Sequence, residues 1–170
     1  WTLNNAQYTC PAGQPCEIHC EDADKTCTST DGSQVIIDAE QATSLFLQCH
    51  EANACQNILV ECPITSSTAS FCTTQCDLDF SCKDMEIHTH NTTDINLICA
   101  DNELDKSYPN NTVCSNITID GIYLAKEDLP PPDQNIAINC GDEGRAPTDT
   151  PSCDLIRTIN LGQMAGQQIP

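Results

Sequence analysis

A two-cysteine unit recurs along this chain and narrows what it can fold into. A short apolar or β-prone stretch ends in a first cysteine, usually with an acidic residue within the next two positions. The copies are Ile18-His19-Cys20-Glu21-Asp22, Leu47-Gln48-Cys49-His50-Glu51, Thr74-Gln75-Cys76-Asp77-Leu78, Leu97-Ile98-Cys99-Ala100-Asp101 and Ile138-Asn139-Cys140-Gly141-Asp142. The third is the poorest at its apolar position. A second cysteine follows each: Cys27, Cys55, Cys82, Cys114 and Cys153. The gap is short in the first three copies. In the last two it lengthens with polar residues and Pro109, Pro147 and Pro151, which read as loop insertions at one place in the repeat.

After the second cysteine the sequence alternates with period two. Examples are Gln56-Asn57-Ile58-Leu59-Val60, Lys83-Asp84-Met85-Glu86-Ile87, Ser115-Asn116-Ile117-Thr118-Ile119 and Asp154-Leu155-Ile156-Arg157-Thr158-Ile159. In the first copy the equivalent is Val35-Ile36-Ile37, displaced by the turn-like Thr30-Asp31-Gly32-Ser33. β-branched residues at every second position argue strand, not helix. First cysteines are spaced by 29, 27, 23 and 41 residues, and the long interval holds Pro130-Pro131-Pro132. The undistorted unit has the length of one turn of a stacked-strand array. The expected fold is therefore all-β: a disulfide-stapled parallel β-solenoid of about five coils, with a disulfide-rich β-sandwich as the alternative. Residues 1–15 read as an N-terminal cap segment, 16–160 as the five-repeat unit and 161–170 as a tail. Gly162 to Pro170 is uncharged, with no evident amphipathic helix, so this end reads as poorly capped.

The chain has 14 cysteines, an even number, in 170 residues. That density argues for disulfides made in an oxidising compartment. Pairing each first cysteine with its own second gives Cys20–Cys27, Cys49–Cys55, Cys76–Cys82, Cys99–Cys114 and Cys140–Cys153. Two near pairs remain, Cys10 with Cys16 and Cys62 with Cys72. Bonds between successive units are the rival arrangement. Cys16-x3-Cys20 and Cys72-x3-Cys76 have loose zinc-like spacing, but a zinc site needs free thiolates, so no metal is expected.

The balance of 25 acidic against 6 basic residues gives a net charge of −19. Phosphate contacts need a basic surface, so a nucleic-acid partner is excluded. No run of about 18 apolar residues exists, so no membrane insertion is expected. The chain begins at Trp1, which fits a secreted protein with its signal removed, or a fragment of a longer chain. Sequons at Asn91, Asn110 and Asn116 fit export and would place N-linked glycans on one stretch.

Catalytic chemistry is thinly supplied. Lyases acting on polysaccharides need a strong base, and only Lys25, Lys83, Lys106, Lys126, Arg145 and Arg157 exist. Hydrolases need paired carboxylates. Glu21/Asp22, Asp101 and Asp142/Glu143 recur after the first cysteine and would stack as an acidic row, read here as a solvated turn rather than a catalytic or Ca²⁺ site. His88-x-His90 places two histidines on one face of a strand, read as an exposed strand end. The aromatics Trp1, Tyr8, Phe46, Phe71, Phe80, Tyr108 and Tyr123 fall out of register between repeats, which disfavours a stacked sugar-binding row. Neither catalytic residues nor a cofactor are expected.

The unit in Cys49-His50-Glu51-Ala52-Asn53-Ala54-Cys55-Gln56-Asn57-Ile58 and Cys76-Asp77-Leu78-Asp79-Phe80-Ser81-Cys82-Lys83-Asp84-Met85 resembles the cysteine-rich repeats of large surface proteins of algae and other protists. Some of these are similar to components of flagellar hair filaments (mastigonemes) and cell coats. The resemblance covers about residues 16–160. It departs from that pattern in the insertions of the last two repeats and in its short chain. It implies an extracellular, glycosylated, structural role and carries over no catalytic residue. Together with the poorly capped end, it leads to the expectation of a non-enzymatic protein that associates with itself, head to tail, into an extracellular filament or coat. The alternatives are a monomeric glycan-binding or adhesion module and a polysaccharide-active enzyme.

Overall fold

The computed structural model describes residues 7–21, 27–28, 32–64, 70–78, 80–90, 93–99, 113–122, 136–139, 153–154 and 157–159. The described residues are all-β, with no helix. The strands are β1 (Gln7–Thr9), β2 (Pro15–Cys20), β3 (Val35–Asp38), β4 (Ser44–Cys49), β5 (Ile58–Glu61), β6 (Ser70–Cys76), β7 (Glu86–His90), β8 (Thr93–Cys99), β9 (Cys114–Ser115), β10 (Thr118–Ile122), β11 (Ile136–Asn139), β12 (Cys153–Asp154) and β13 (Arg157–Ile159).

Two larger sheets are formed, both wholly parallel. One has the order β1-β3-β5-β7-β10-β13 and the other β2-β4-β6-β8-β11; a small third sheet pairs β9 with β12. Parallel neighbours cannot be joined by a hairpin and need a long crossover. Here the crossover from β2 to β4 is β3, a strand of the other sheet, and from β3 to β5 it is β4. The residues assigned from sequence to a cap contribute β1, which pairs with β3.

Strands β3 to β6 alternate buried and more exposed residues, as in β4 (Leu45, Leu47 and Cys49 inward) and β5 (Ile58 and Val60 inward). This differs from most parallel sheets, which are covered on both faces and read as continuous apolar runs. Among the described residues no helix covers the outer faces, and the period-two signal survives in the sequence. Register then stacks like on like. Ile37, Val60, Ile87 and Ile119 form one inward row. Leu47, Thr74 and Leu97 form another, and Cys20, Cys49, Cys76 and Cys99 a third. The buried apolar residues of both sheets belong to one hydrophobic cluster.

Thr74 is the weak point of its row. It is 2 % exposed, and its Oγ1 has no hydrogen-bond partner, as is also true of Ser81 Oγ. An unpaired buried hydroxyl is destabilising.

The turns repeat as faithfully as the strands. The Ala54 amide donates to the Glu51 carbonyl, and 27 residues on the Ser81 amide donates to Leu78. Successive turns are joined by Cys82 N–H to Ala54 O at 3.0 Å and Asp77 N–H to Cys49 O at 3.1 Å. Cys27, Cys55 and Cys82, together with Asn57, Asp84 and Asn116, have φ between 52° and 59°. Left-handed backbone costs an L-residue about 1–2 kcal/mol, least for Asn and Asp, whose short side chains bond locally. Asn or Asp accordingly stands two residues after Cys55, Cys82 and Cys114.

Candidate functional site

Among the described residues, twelve cysteines are taken up in disulfides. Disulfides join Cys10–Cys16, Cys20–Cys27, Cys49–Cys55, Cys62–Cys72, Cys76–Cys82 and Cys99–Cys114. Four of these close the corner after the first cysteine. The other two close the opposite corner, where Cys16 and Cys72 alternate in register with the apolar Leu45 and Ile95. Cys16, Leu45, Cys72 and Ile95 share one register position. Cys140 lies outside the described residues, so the pair expected with Cys153 does too. The sulfurs of Cys20, Cys49 and Cys55 lie within 4.8 Å of one another. All three are in disulfides, so none offers the thiolate that a zinc site requires. Both loosely zinc-like spacings are likewise taken up by disulfide partners elsewhere.

Among the described residues, polar chemistry concentrates on the outward faces, around histidines. On the β2-containing sheet, His19 Nε2 lies 2.7 Å from Glu17 Oε1 and its Nδ1 2.9 Å from Gln48 Oε1, with Glu21 at 3.3 Å. Gln48 Nε2 donates onward to Asp77 Oδ2 at 3.2 Å, and Gln75 Nε2 donates to Asp77 Oδ1 at 2.9 Å. His50 Nδ1 reaches the same Asp77 Oδ2 at 3.1 Å. Asp77 is 1 % exposed, so its buried carboxylate is met by amide and imidazole donors. The chain of contacts runs from Glu17 through His19 and Gln48 to Asp77. Hydrogen bonding to Glu17 and then to Gln48 holds the His19 pKa above its ordinary value, against the opposing effect of burial.

On the other sheet, Asp38, Glu61, His88 and Asp120 occupy one outward row of adjacent strands. His88 Nδ1 lies 3.1 Å from Glu61 Oε1 on β5, and its Nε2 lies 2.9 Å from Glu86 Oε1 on its own strand. Gln34 Nε2 also donates to Glu86. Burial pulls the His88 pKa down, but the hydrogen bonds and charges of Glu86 and Glu61 outweigh it and leave it raised. The hydrogen bond from His88 lowers the Glu86 pKa against the effect of burial. The reading of His88 as an exposed strand end is corrected: its side chain is 19 % exposed and has a carboxylate within hydrogen-bond distance of each ring nitrogen. The His90 side chain lies outside the described part.

The acidic row expected after the first cysteines is only partly described. Glu21 contacts His19. In the third repeat, that position holds the buried Asp77, not a solvated turn. Asp22, Asp101, Asp142 and Glu143 lie outside the described residues, as do Asn91 and Asn110. Asn116 is exposed, and its Nδ2 donates to Asp84 Oδ1 at 2.7 Å. Phe46 and Phe71 both sit on the outer face of the β2-containing sheet but in different rows, since Phe46 pairs in register with Thr73. Phe71 is 50 % exposed, and Trp1, Tyr108 and Tyr123 lie outside the described residues.

Sequence reasoning missed Gln48, Gln75, Glu61 and Glu86. The available signal was the stacking of outward residues between repeats. No protein-family model, curated protein or solved structure matches this chain.

Proposed function

We propose that this protein is a secreted, glycosylated structural element: a disulfide-stapled β-solenoid that stacks end to end on copies of itself to build an extracellular filament or coat. The reading rests on one observation above others. Among the described residues, β1 and β2 are the outer strands of their sheets, and Tyr8, on the inward row of β1, is 38 % exposed. Ile18, on the inward row of β2, is only partly covered. A parallel edge with apolar inward residues is a template for another strand pair. Because the two ends of such a stack differ, the contact is heterologous and propagates instead of closing as a dimer. Abundant disulfides are typical of proteins outside the cell, which supports this location. The exposed Asn116 supports a glycan at its sequon.

Electron microscopy of the non-reduced protein across a concentration series tests this reading. Filaments are expected with an axial subunit repeat of roughly 29 Å, six strands at about 4.8 Å each. Monodisperse particles at every concentration would overturn self-assembly.

A further inference from the structure

His88 is the one described histidine whose two ring nitrogens both face carboxylates at hydrogen-bond distance while its side chain is largely withdrawn from water. An ionised carboxylate only accepts. A neutral imidazole carries one N–H, so it can satisfy one of the two contacts and must point a lone pair at the other. Only the imidazolium donates to both. One contact crosses from β7 to β5 and the other runs along β7, so the charge state of one ring determines whether both contacts can be made at once.

The surroundings reinforce the dependence. Glu61 faces His88 from β5 and Glu86 from its own strand. Asp120 stands beside it in register on β10, and Asp38 is next to Glu61 on β3. No described basic side chain occupies these register positions, so loss of the His88 proton leaves a row of carboxylates without its central cation.

We propose that His88 is a proton-operated clasp of the β5–β7–β10 face: protonated, it ties Glu61 to Glu86 and offsets the repulsion along the row; deprotonated, it keeps at most one of the two contacts and no longer offsets that repulsion. The protein is then firmer in mildly acidic surroundings than in alkaline ones, independently of whether it assembles.

Two measurements on the full chain with its disulfides intact test this. Proton NMR of the His88 imidazole should show a titration midpoint above 6.5 that falls in Glu61→Gln. The urea midpoint of the wild type should rise as pH drops from 8 to 6, and the rise should shrink in His88→Gln. The comparison removes the general effect of net charge, which both chains share. A wild-type His88 midpoint at or below 6.5 would overturn the clasp even if the variants failed to fold. Equal pH shifts in wild type and His88→Gln would overturn it as well.

Discussion

Asn116 donates its side-chain amide to the carboxylate of Asp84 at 2.7 Å, and both residues hold left-handed backbone at equivalent places in successive repeats. Each therefore has a conformational role and a pairing role. Asp84→Gly removes the hydrogen bond but suits the backbone, so its cost should be small. Asp84→Val removes the bond and adds a β-branched side chain at φ 57°, and should cost about 1–2 kcal/mol more. Urea titrations of the two variants would separate these terms. A glycan on Asn116 Nδ2 would also alter this contact, so enzymatic deglycosylation should shift stability in wild type more than in Asp84→Gly.

The disulfides should not contribute equally. Cys49–Cys55 closes a separation of 6 residues and Cys99–Cys114 one of 15. By the chain-entropy argument, replacing the first pair by serine should cost roughly 2 kcal/mol and the second roughly 3 kcal/mol. Thermal unfolding of the two double variants should therefore rank the longer loop as the more damaging loss.

Thr74 interrupts an inward apolar row with an unpaired hydroxyl. Thr74→Val keeps the shape and removes the orphan, so it should raise stability by about 1 kcal/mol. By contrast, Leu47→Ala, one strand away, should lower it by about 2–5 kcal/mol through the cavity it leaves. Opposite signs at neighbouring positions of one row are the outcome to look for in denaturant midpoints.

The histidine pairs give stability a defined pH window. The raised His88 pKa means its contribution is complete below about 6.5, the unfolded value, and is lost as pH rises through the folded pKa. The lowered Glu86 pKa means its contribution is present above about 4.5 and is lost as pH falls through its own folded value. Maximum stability is expected between about pH 4.5 and 6.5, and a series of thermal melts from pH 3 to 9 checks it.

If copies stack through the β1 and β2 edges, a charge placed on that end should block growth without unfolding the subunit. Tyr8→Asp should leave the thermal midpoint nearly unchanged, because Tyr8 is already substantially exposed, while abolishing concentration-dependent scattering. Persistent assembly in this variant would place the contact elsewhere.

The strand-forming repeats were legible in the chain before any coordinate. Alternation exposes β3, β5, β7 and β10 because one face of each strand is buried and the other meets water, and that difference is written residue by residue. The first cysteines could be aligned from the apolar stretch before them and the acidic residue after, and the four that are described stack in register at the ends of β2, β4, β6 and β8. The short strands β1, β9 and β12 were not legible, since two or three residues carry no period. Nor were the partners of the polar side chains. Gln48 meets Asp77, and His88 meets Glu61, across 29 and 27 residues of chain. Sequence determines which residues face outward through local alternation; which outward residues touch depends on the register between parallel strands, a property of the packed sheets and of no single segment.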